Sequence, residues 1–136
     1  MADKFSFHQV WGGLEKALGI SQLRHSLITG NISHLETPRY KPKEVEFQDA
    51  LKQAMGQQSP QVSVAQTDPR HLGAAPEGLK GVDVKEEEGE WNGFNWVNID
   101  KEMTRMMEND LLFRTASEIL IRKIGLLKDI IREGGR

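Results

Sequence analysis

The stretch from Gly30 to Phe47 reads GNISHLETPRYKPKEVEF and separates two kinds of sequence. A helix-compatible apolar pattern runs into it from the N-terminal side, and Thr37-Pro38 interrupts that pattern. A residue before proline is pushed out of the α region, and proline itself has no N–H to donate. From Tyr40 to Phe47 the residues alternate as they do in a strand. The sequence therefore predicts that a long helix ends here and that an extended segment follows.

The prolines divide the chain into three regions. All five lie in the middle of the sequence, which predicts an N-terminal helical arm over 1–35, a middle region over 36–97 and a C-terminal helical arm over 98–136. The middle region holds all of the net negative charge. Its patterns predict short strands at Glu44–Phe47 and Val62–Val64, a turn at Thr67–Leu72 and a solvated acidic run at Lys85–Glu90. We expect this region to be partly disordered in the isolated monomer.

The N-terminal arm has a stripe of residues at alternating spacings of four and three, which lie on one face of a helix. Its members are Leu14, Leu18, Ser21, His25, Ile28, Ile32 and Leu35. Gly19 and Gly30 each weaken this helix by about 1 kcal/mol relative to alanine. The arm is therefore expected to need a partner.

The C-terminal arm has two adjacent stripes of the same kind, which is more than one partner helix covers. The first stripe contains Met103, Met106, Asp110, Phe113, Ser117, Leu120, Ile124, Leu127 and Ile131, and the second contains Leu112, Ala116, Ile119, Leu126 and Ile130. Asn98 or Asp100 is suited to cap the start of the helix. The sequence thus predicts a mainly α fold, in which long N- and C-terminal helices pack as an antiparallel coiled-coil-like pair beside a small irregular/β middle region.

The sequence shows no residue pattern that is typical of a catalytic site or a metal site. The chain has no cysteine, and no two of its four histidines have the i, i+4 spacing of a helical metal site. Phosphate-loop and nucleophile-elbow motifs are also missing. We therefore predict no enzymatic activity, no catalytic or metal residues, no cofactor and no small-molecule substrate. Nucleic acid is not expected as a partner, because the net charge is −2 and no basic block occurs.

The segment Asn31–Lys41 resembles the N-terminal signature of the bacterial flagellar rod and hook proteins, N-[IL]-A-N-x-x-T-P-G-Y-[KR]. The matching residues are Asn31, Thr37, Pro38, Tyr40 and Lys41. His34 stands where that family usually has a second asparagine, and Arg39 where it has glycine. Because a residue with a side chain avoids positive φ, Arg39 argues against a left-handed turn at that position.

Further segments are similar to the small proximal rod members of this family. They are Lys43–Phe47 with Ala50-Leu51, Thr67–Leu72, Val97–Met103, Asn109–Phe113 and Arg122–Leu127. The resemblance implies a structural subunit of the basal body rod, the drive shaft that transmits torque from motor to hook, and hence a protein required for motility. It also implies helical hetero-assembly with other rod and basal-body proteins, next to the export gate and the membrane ring.

The same resemblance implies export by the flagellar type III system, and the first residues agree with it. They lack the continuous apolar run and the cleavage site of a secretory signal. The sequence contains no apolar run long enough for a transmembrane helix.

Two groups of candidate functional residues follow. We expect an assembly interface in which Asn31 fixes the register and the apolar residues of the two arms pack within an inner helical layer. The apolar members are Leu14, Leu18, Ile28, Ile32 and Leu35, against Phe113, Leu120, Ile124 and Leu127. We expect Thr37, Pro38 and Tyr40 to form an elbow. Another small rod protein, or a soluble helical adaptor or chaperone, stays open as an alternative.

Overall fold

A computed structural model of the chain describes residues 2–56 and 82–135, with side chains from residue 9 onward. The elements are α1 (Ala2–Ser33), β1 (Lys43–Glu44), α2 (Phe47–Ala54), β2 (Lys85–Glu86) and α3 (Ile99–Glu133). The predicted fold class is confirmed, because two long terminal helices pack together beside a small two-stranded sheet. The predicted strand at Val62–Val64 and turn at Thr67–Leu72 lie outside the described residues.

Helices α1 and α3 run antiparallel, and their side-chain hydrogen bonds fix the register. Ser21 bonds to Asn109, and Asn31 bonds to Glu102, so numbers rise along one helix as they fall along the other. With 32 and 35 residues, the helices are about 48 and 52 Å long at 1.5 Å per residue. None of the described helices combines the length and apolar character needed to span a membrane.

The buried face of each long helix differs from its predicted stripe. In α1 the buried residues are Ile20, Ser21, Arg24, Ile28 and Asn31, whereas His25 is exposed. Within α3 only Glu102 and Asn109 are fully buried, so the buried seam is rotated by one residue from the predicted Met103 and Asp110. The polar residues set this rotation, because a polar group that leaves water must find a hydrogen-bonding partner.

The apolar core lies between α1, α2 and the residues that flank the two short strands. Ile20, Val45, Ala50 and Val82 are buried together there. Phe47 begins α2 and does not end a strand as predicted. The missed signal is the spacing of Phe47, Ala50, Leu51 and Ala54 at i, i+3, i+4 and i+7, which places all four on one helical face.

The two short strands pair antiparallel, with Lys43 opposite Glu86 and Glu44 opposite Lys85. The first strand thus covers Lys43–Glu44, earlier than the predicted segment. The acidic run at Lys85–Glu90 was predicted to be solvated, but part of it is not. Its first two residues form β2, and Glu87 is drawn into ion pairs with Arg105 and Lys101.

The start of α3 is capped by Asn98, as predicted. Its backbone is extended, and its side-chain oxygen accepts hydrogen bonds from the N–H groups of Asp100 and Lys101 at 3.0 and 3.2 Å. These are two of the N–H groups that a helix start leaves without an intrahelical partner.

We expect Asn98→Ala to lower the free energy of unfolding by about 1 kcal/mol, because the alanine side chain accepts no hydrogen bond. Asn98→Asp keeps an accepting oxygen and serves as the control. Urea denaturation followed by circular dichroism at 222 nm measures both variants. Equal stability of Asn98→Ala and the parent protein would contradict the capping role.

Candidate assembly interface and elbow

The elbow after α1 contains a left-handed residue. Arg39 has φ of 58°, although its side chain argued against such a turn. Two backbone hydrogen bonds hold this segment against the strand-like residues before α3: Arg39 N–H donates to the Phe94 carbonyl at 2.9 Å, and Trp96 N–H donates to the Tyr40 carbonyl at 3.1 Å. The expectation for Arg39 was therefore wrong. The tertiary hydrogen bonds outweigh a local cost of about 1–2 kcal/mol for the left-handed conformation.

A buried asparagine that sequence reasoning missed closes the end of α1. Asn95 is 0% exposed, and its amide donates to the carbonyl of Leu35 at 2.6 Å. Its oxygen accepts from the N–H of Val97 at 3.0 Å and from the amide of Asn92 at 2.9 Å. The side chain thus satisfies a carbonyl just beyond the helix end. The available signal was the Asn-rich stretch WNGFNW just before α3.

Asn31 lies where the elbow, the strand β1 and α3 meet. Its amide donates at 2.9 Å both to the Lys43 carbonyl and to Glu102 Oε2. Its oxygen accepts from Lys43 N–H at 2.9 Å and from the Tyr40 hydroxyl at 3.2 Å. All four hydrogen-bonding positions of the carboxamide are therefore occupied, and the side chain is 1% exposed.

Tyr40 links this junction to the surface of the elbow. Its ring stacks on His34, with ring centroids 4.3 Å apart. Burial raises the pKa of the Tyr40 hydroxyl, and the charges of Glu102 and Glu86 raise it further. The hydroxyl therefore stays protonated and able to donate to Asn31. Thr37 and Pro38 lie exposed at the outer side of the elbow.

Arg105 gathers carboxylates from three segments of the chain. Its guanidinium contacts Glu44 at 2.7 Å, Glu87 at 2.6 Å and Glu102 at 2.8 Å. Burial lowers the pKa of Arg105, but the hydrogen bond that Arg105 donates to Glu87 and the interactions with Glu44 and Glu102 outweigh that effect and raise the pKa. Burial likewise raises the pKa of Glu87, but hydrogen bonds and charges from Arg105 and Lys101 hold it below its ordinary value. These ion pairs connect the two short strands to α3.

The predicted interface residues are only partly brought together within one chain. Ile28 is buried, and Leu14, Leu18, Ile32, Leu35, Leu120 and Leu127 are half-buried. Phe113 and Ile124 are 44% and 48% exposed. The antiparallel register brings Leu18 level with the segment around Phe113. Ile28 lies level with the Glu102–Arg105 turn, which is about 30 Å along α3 from Ile124 at 1.5 Å per residue.

Large apolar residues lie on the side of α3 away from the seam. At about 100° per residue, Met107 and Leu111 point away from Glu102 and Asn109, and Met103 and Ile121 lie on the adjoining flank, about 110° from that pair; we call these four the outer face of α3. Met107, Leu111 and Ile121 are 69%, 67% and 67% exposed. Leu126, Ile130 and Ile131 are also exposed, on other sides of α3 near the end of the helix.

Among the described residues, no group of three or more histidine, aspartate or glutamate side chains is placed so that it could hold a metal ion. Two long paired helices, an elbow on the flagellar signature and an exposed apolar helix surface are instead features of a structural subunit of the rod and hook class. No protein-family model matches the sequence.

Comparison with known proteins identifies the family. The chain is 32% identical over 123 residues to the flagellar basal body rod protein FlgB of Bacillus subtilis (strain 168), which spans 89% of this chain and 92% of that protein. It is 29% identical over 126 residues to FlgB of Aeromonas hydrophila, over 90% of this chain and 93% of the relative. It is 28% identical over 128 residues to FlgB of Cereibacter sphaeroides, over 93% and 96%. The chain therefore belongs to the FlgB family of flagellar basal body rod proteins, which confirms the resemblance.

The left-handed residue gives a test of the elbow. We expect Arg39→Val to be less stable than Arg39→Gly by about 1–2 kcal/mol, because a β-branched side chain is strained at positive φ. Arg39→Asn is the control, since asparagine tolerates this conformation. Thermal and urea denaturation measure the three variants. Equal stability of the valine and glycine variants would show that the residue is not held left-handed.

The carboxylate cluster gives a test by pH. The folded-state pKa of Glu87 lies below the ordinary value of 4.5, so its contribution to stability is present above that pH and is lost as the pH falls through the lowered value. We expect the free energy of unfolding to decrease below about pH 4.5, and to decrease less in Glu87→Gln. Denaturation at a series of pH values measures this. The neighbouring exposed residue provides the control Glu88→Gln, which should keep the parent profile.

Proposed function

We propose that this protein is a structural subunit of the proximal rod, in which the exposed apolar surface of α3 packs against neighbouring subunits. Membership of the FlgB family makes the chain a structural rod protein of the bacterial flagellar basal body, part of the shaft that transmits torque for motility. The single observation that carries the assembly role is the outer face of α3, where large apolar side chains are about two-thirds exposed.

An apolar helix surface of this extent indicates a partner. Soluble monomers rarely expose large contiguous apolar patches, and such patches mark interaction sites. Fully burying a leucine or isoleucine side chain contributes about 1.5–3 kcal/mol. Covering Met107, Leu111 and Ile121 in an assembly would therefore stabilise it substantially. A helical rod is built from head-to-tail contacts, so one subunit must present different surfaces to different neighbours.

The register within the chain supports an intermolecular role for part of the predicted interface. Because Ile28 and Ile124 are about 30 Å apart along the helix pair, contact between their two neighbourhoods requires two subunits. In this proposal Phe113 and Ile124 receive apolar residues of an adjacent subunit, while Leu14 and Leu18 stay with their own α3.

The partners in the proposal are other flagellar rod and basal-body proteins. Contacts with the export gate and the membrane ring, and export by the type III route without a cleaved signal peptide, belong to the same proposal. The absence of enzymatic activity also stays a prediction.

The outer face gives the test. We expect Leu111→Lys combined with Ile121→Lys to abolish motility in soft agar, because lysine would bring a charge into a dry subunit contact. The intrachain fold should survive, since both residues point away from the seam. Glu108→Lys, a charge change at an exposed position of α3 that does not belong to the outer face, is the matched control and should leave motility intact.

Electron cryomicroscopy of isolated basal bodies supplies the second readout. We expect the parent chain in the proximal rod and the double variant to be missing from it. Motile cells with a complete rod built from the double variant would overturn the proposed role of the outer face. Absence of the parent chain from the proximal rod would overturn its proposed position.

A further inference from the structure

The seam between α1 and α3 is polar at the places where it is most completely buried. Ser21 and Asn109 are 1% and 2% exposed, and Asn31 and Glu102 are each 1% exposed. Glu102 and Asn109 are the only fully buried residues within the described part of α3. The most protected positions of this helix pair therefore hold hydrogen-bonding groups.

Ser21 and Asn109 form a reciprocal contact, which we call the lower rung. The Ser21 hydroxyl donates to Asn109 Oδ1 at 3.0 Å and lies 3.2 Å from the Asn109 carbonyl. The Asn109 amide donates to the Ser21 carbonyl at 2.8 Å. The Asn31–Glu102 bond at 2.9 Å forms an upper rung. No described buried side-chain nitrogen or oxygen is left without a partner.

Apolar contacts alone would not select this register. Large apolar residues occur along the whole length of α3 and around most of its circumference, so the helix could slide along α1 and still bury similar side chains. Polar groups discriminate between registers because an unpartnered buried polar group is costly, whereas a paired one adds little net stability.

Both single-heptad slips break the rungs. If Glu102 moved level with Ser21, Asn109 would face Leu14, and Asn31 would have no residue of α3 opposite it. In the other direction Ala116 would face Ser21, and Glu102 would pass beyond Asn31. Either slip also moves Arg105 away from Glu44 and Glu87, the carboxylates at the two short strands that it binds.

We propose that the lower rung, Ser21 with Asn109, acts together with the upper rung as the register determinant of the intrachain helix pair. The lower rung lies about 18 Å along α1 from the end of that helix at Ser33, at 1.5 Å per residue. Its residues are positioning residues that select one alignment among several with similar apolar burial.

A distance measurement within the purified chain tests this. The chain has no cysteine, so His25→Cys with Glu118→Cys gives two unique sites for nitroxide labels on exposed positions of α1 and α3. Double electron–electron resonance then reads the offset of the two helices. A slip of one heptad changes the axial offset by about 10 Å. A tenfold excess of unlabelled chain suppresses distances between molecules.

The lower rung is removed by Ser21→Ala with Asn109→Leu, and more mildly by Ser21→Ala with Asn109→Ala. Since both partners of the hydrogen bonds are replaced, helix content should be retained. We expect the single distance of the labelled parent to become a distribution with a second population, displaced as an axial slip of about 10 Å between the two helices requires. The swapped pair, Ser21→Asn with Asn109→Ser, keeps the hydrogen-bonding groups and should restore one distance.

Asp110→Leu adds the same apolar side chain at an exposed neighbouring position and is the matched control. It should leave the single distance unchanged. A single native distance in both rung-deleted variants would overturn the proposal. Loss of the helical circular dichroism signal in both would overturn it as well, because the rung would then provide stability and not alignment. The readout involves no other rod protein, so it is independent of the proposed assembly function.

Discussion

The side chain of Arg105 makes the contacts on which the arrangement of this small protein depends. One guanidinium holds Glu44 of β1, Glu87 beside β2 and Glu102 of α3, and Glu102 passes the connection to Asn31 of α1. Four segments are thereby joined by charged and polar groups. A buried carboxylate would destabilise the fold without its cationic partner, so these ion pairs favour the observed arrangement of the helices and the two short strands.

The polar junction and the apolar core involve different residues of α1. Ile20, Val45 and Val82 are buried together near α2 and the two short strands. Helix α3, in contrast, contacts α1 through the hydrogen bonds of Ser21 with Asn109 and of Asn31 with Glu102. The helix pair therefore uses little of the apolar surface of α3. That surface stays exposed along about 50 Å of helix, in keeping with a protein whose family builds the rod of the flagellar basal body.

Several features were predictable from particular residues. Thr37-Pro38 marked the end of α1, Asn98 marked the start of α3, and the heptad spacings predicted both long helices. The helix Phe47–Ala54 was predictable from its spacing, but only its first residue was assigned, as the end of a strand. Other features were not predictable, because Asn95 and Glu102 look like ordinary polar residues until the chain brings partners 60 and 71 residues away within hydrogen-bonding distance.

The sequence by itself determined the long helices, their ends and the family, since these depend on local spacing, capping and a short signature. Tertiary structure decided which faces of the helices meet. The apolar stripes alone would have placed Met103 and Asp110 at the seam, yet Glu102 and Asn109 lie there. The physical reason is that apolar burial depends on area and tolerates rotation and sliding, whereas a buried polar group requires one partner at one distance. The same long-range bonding holds Arg39 left-handed in the elbow.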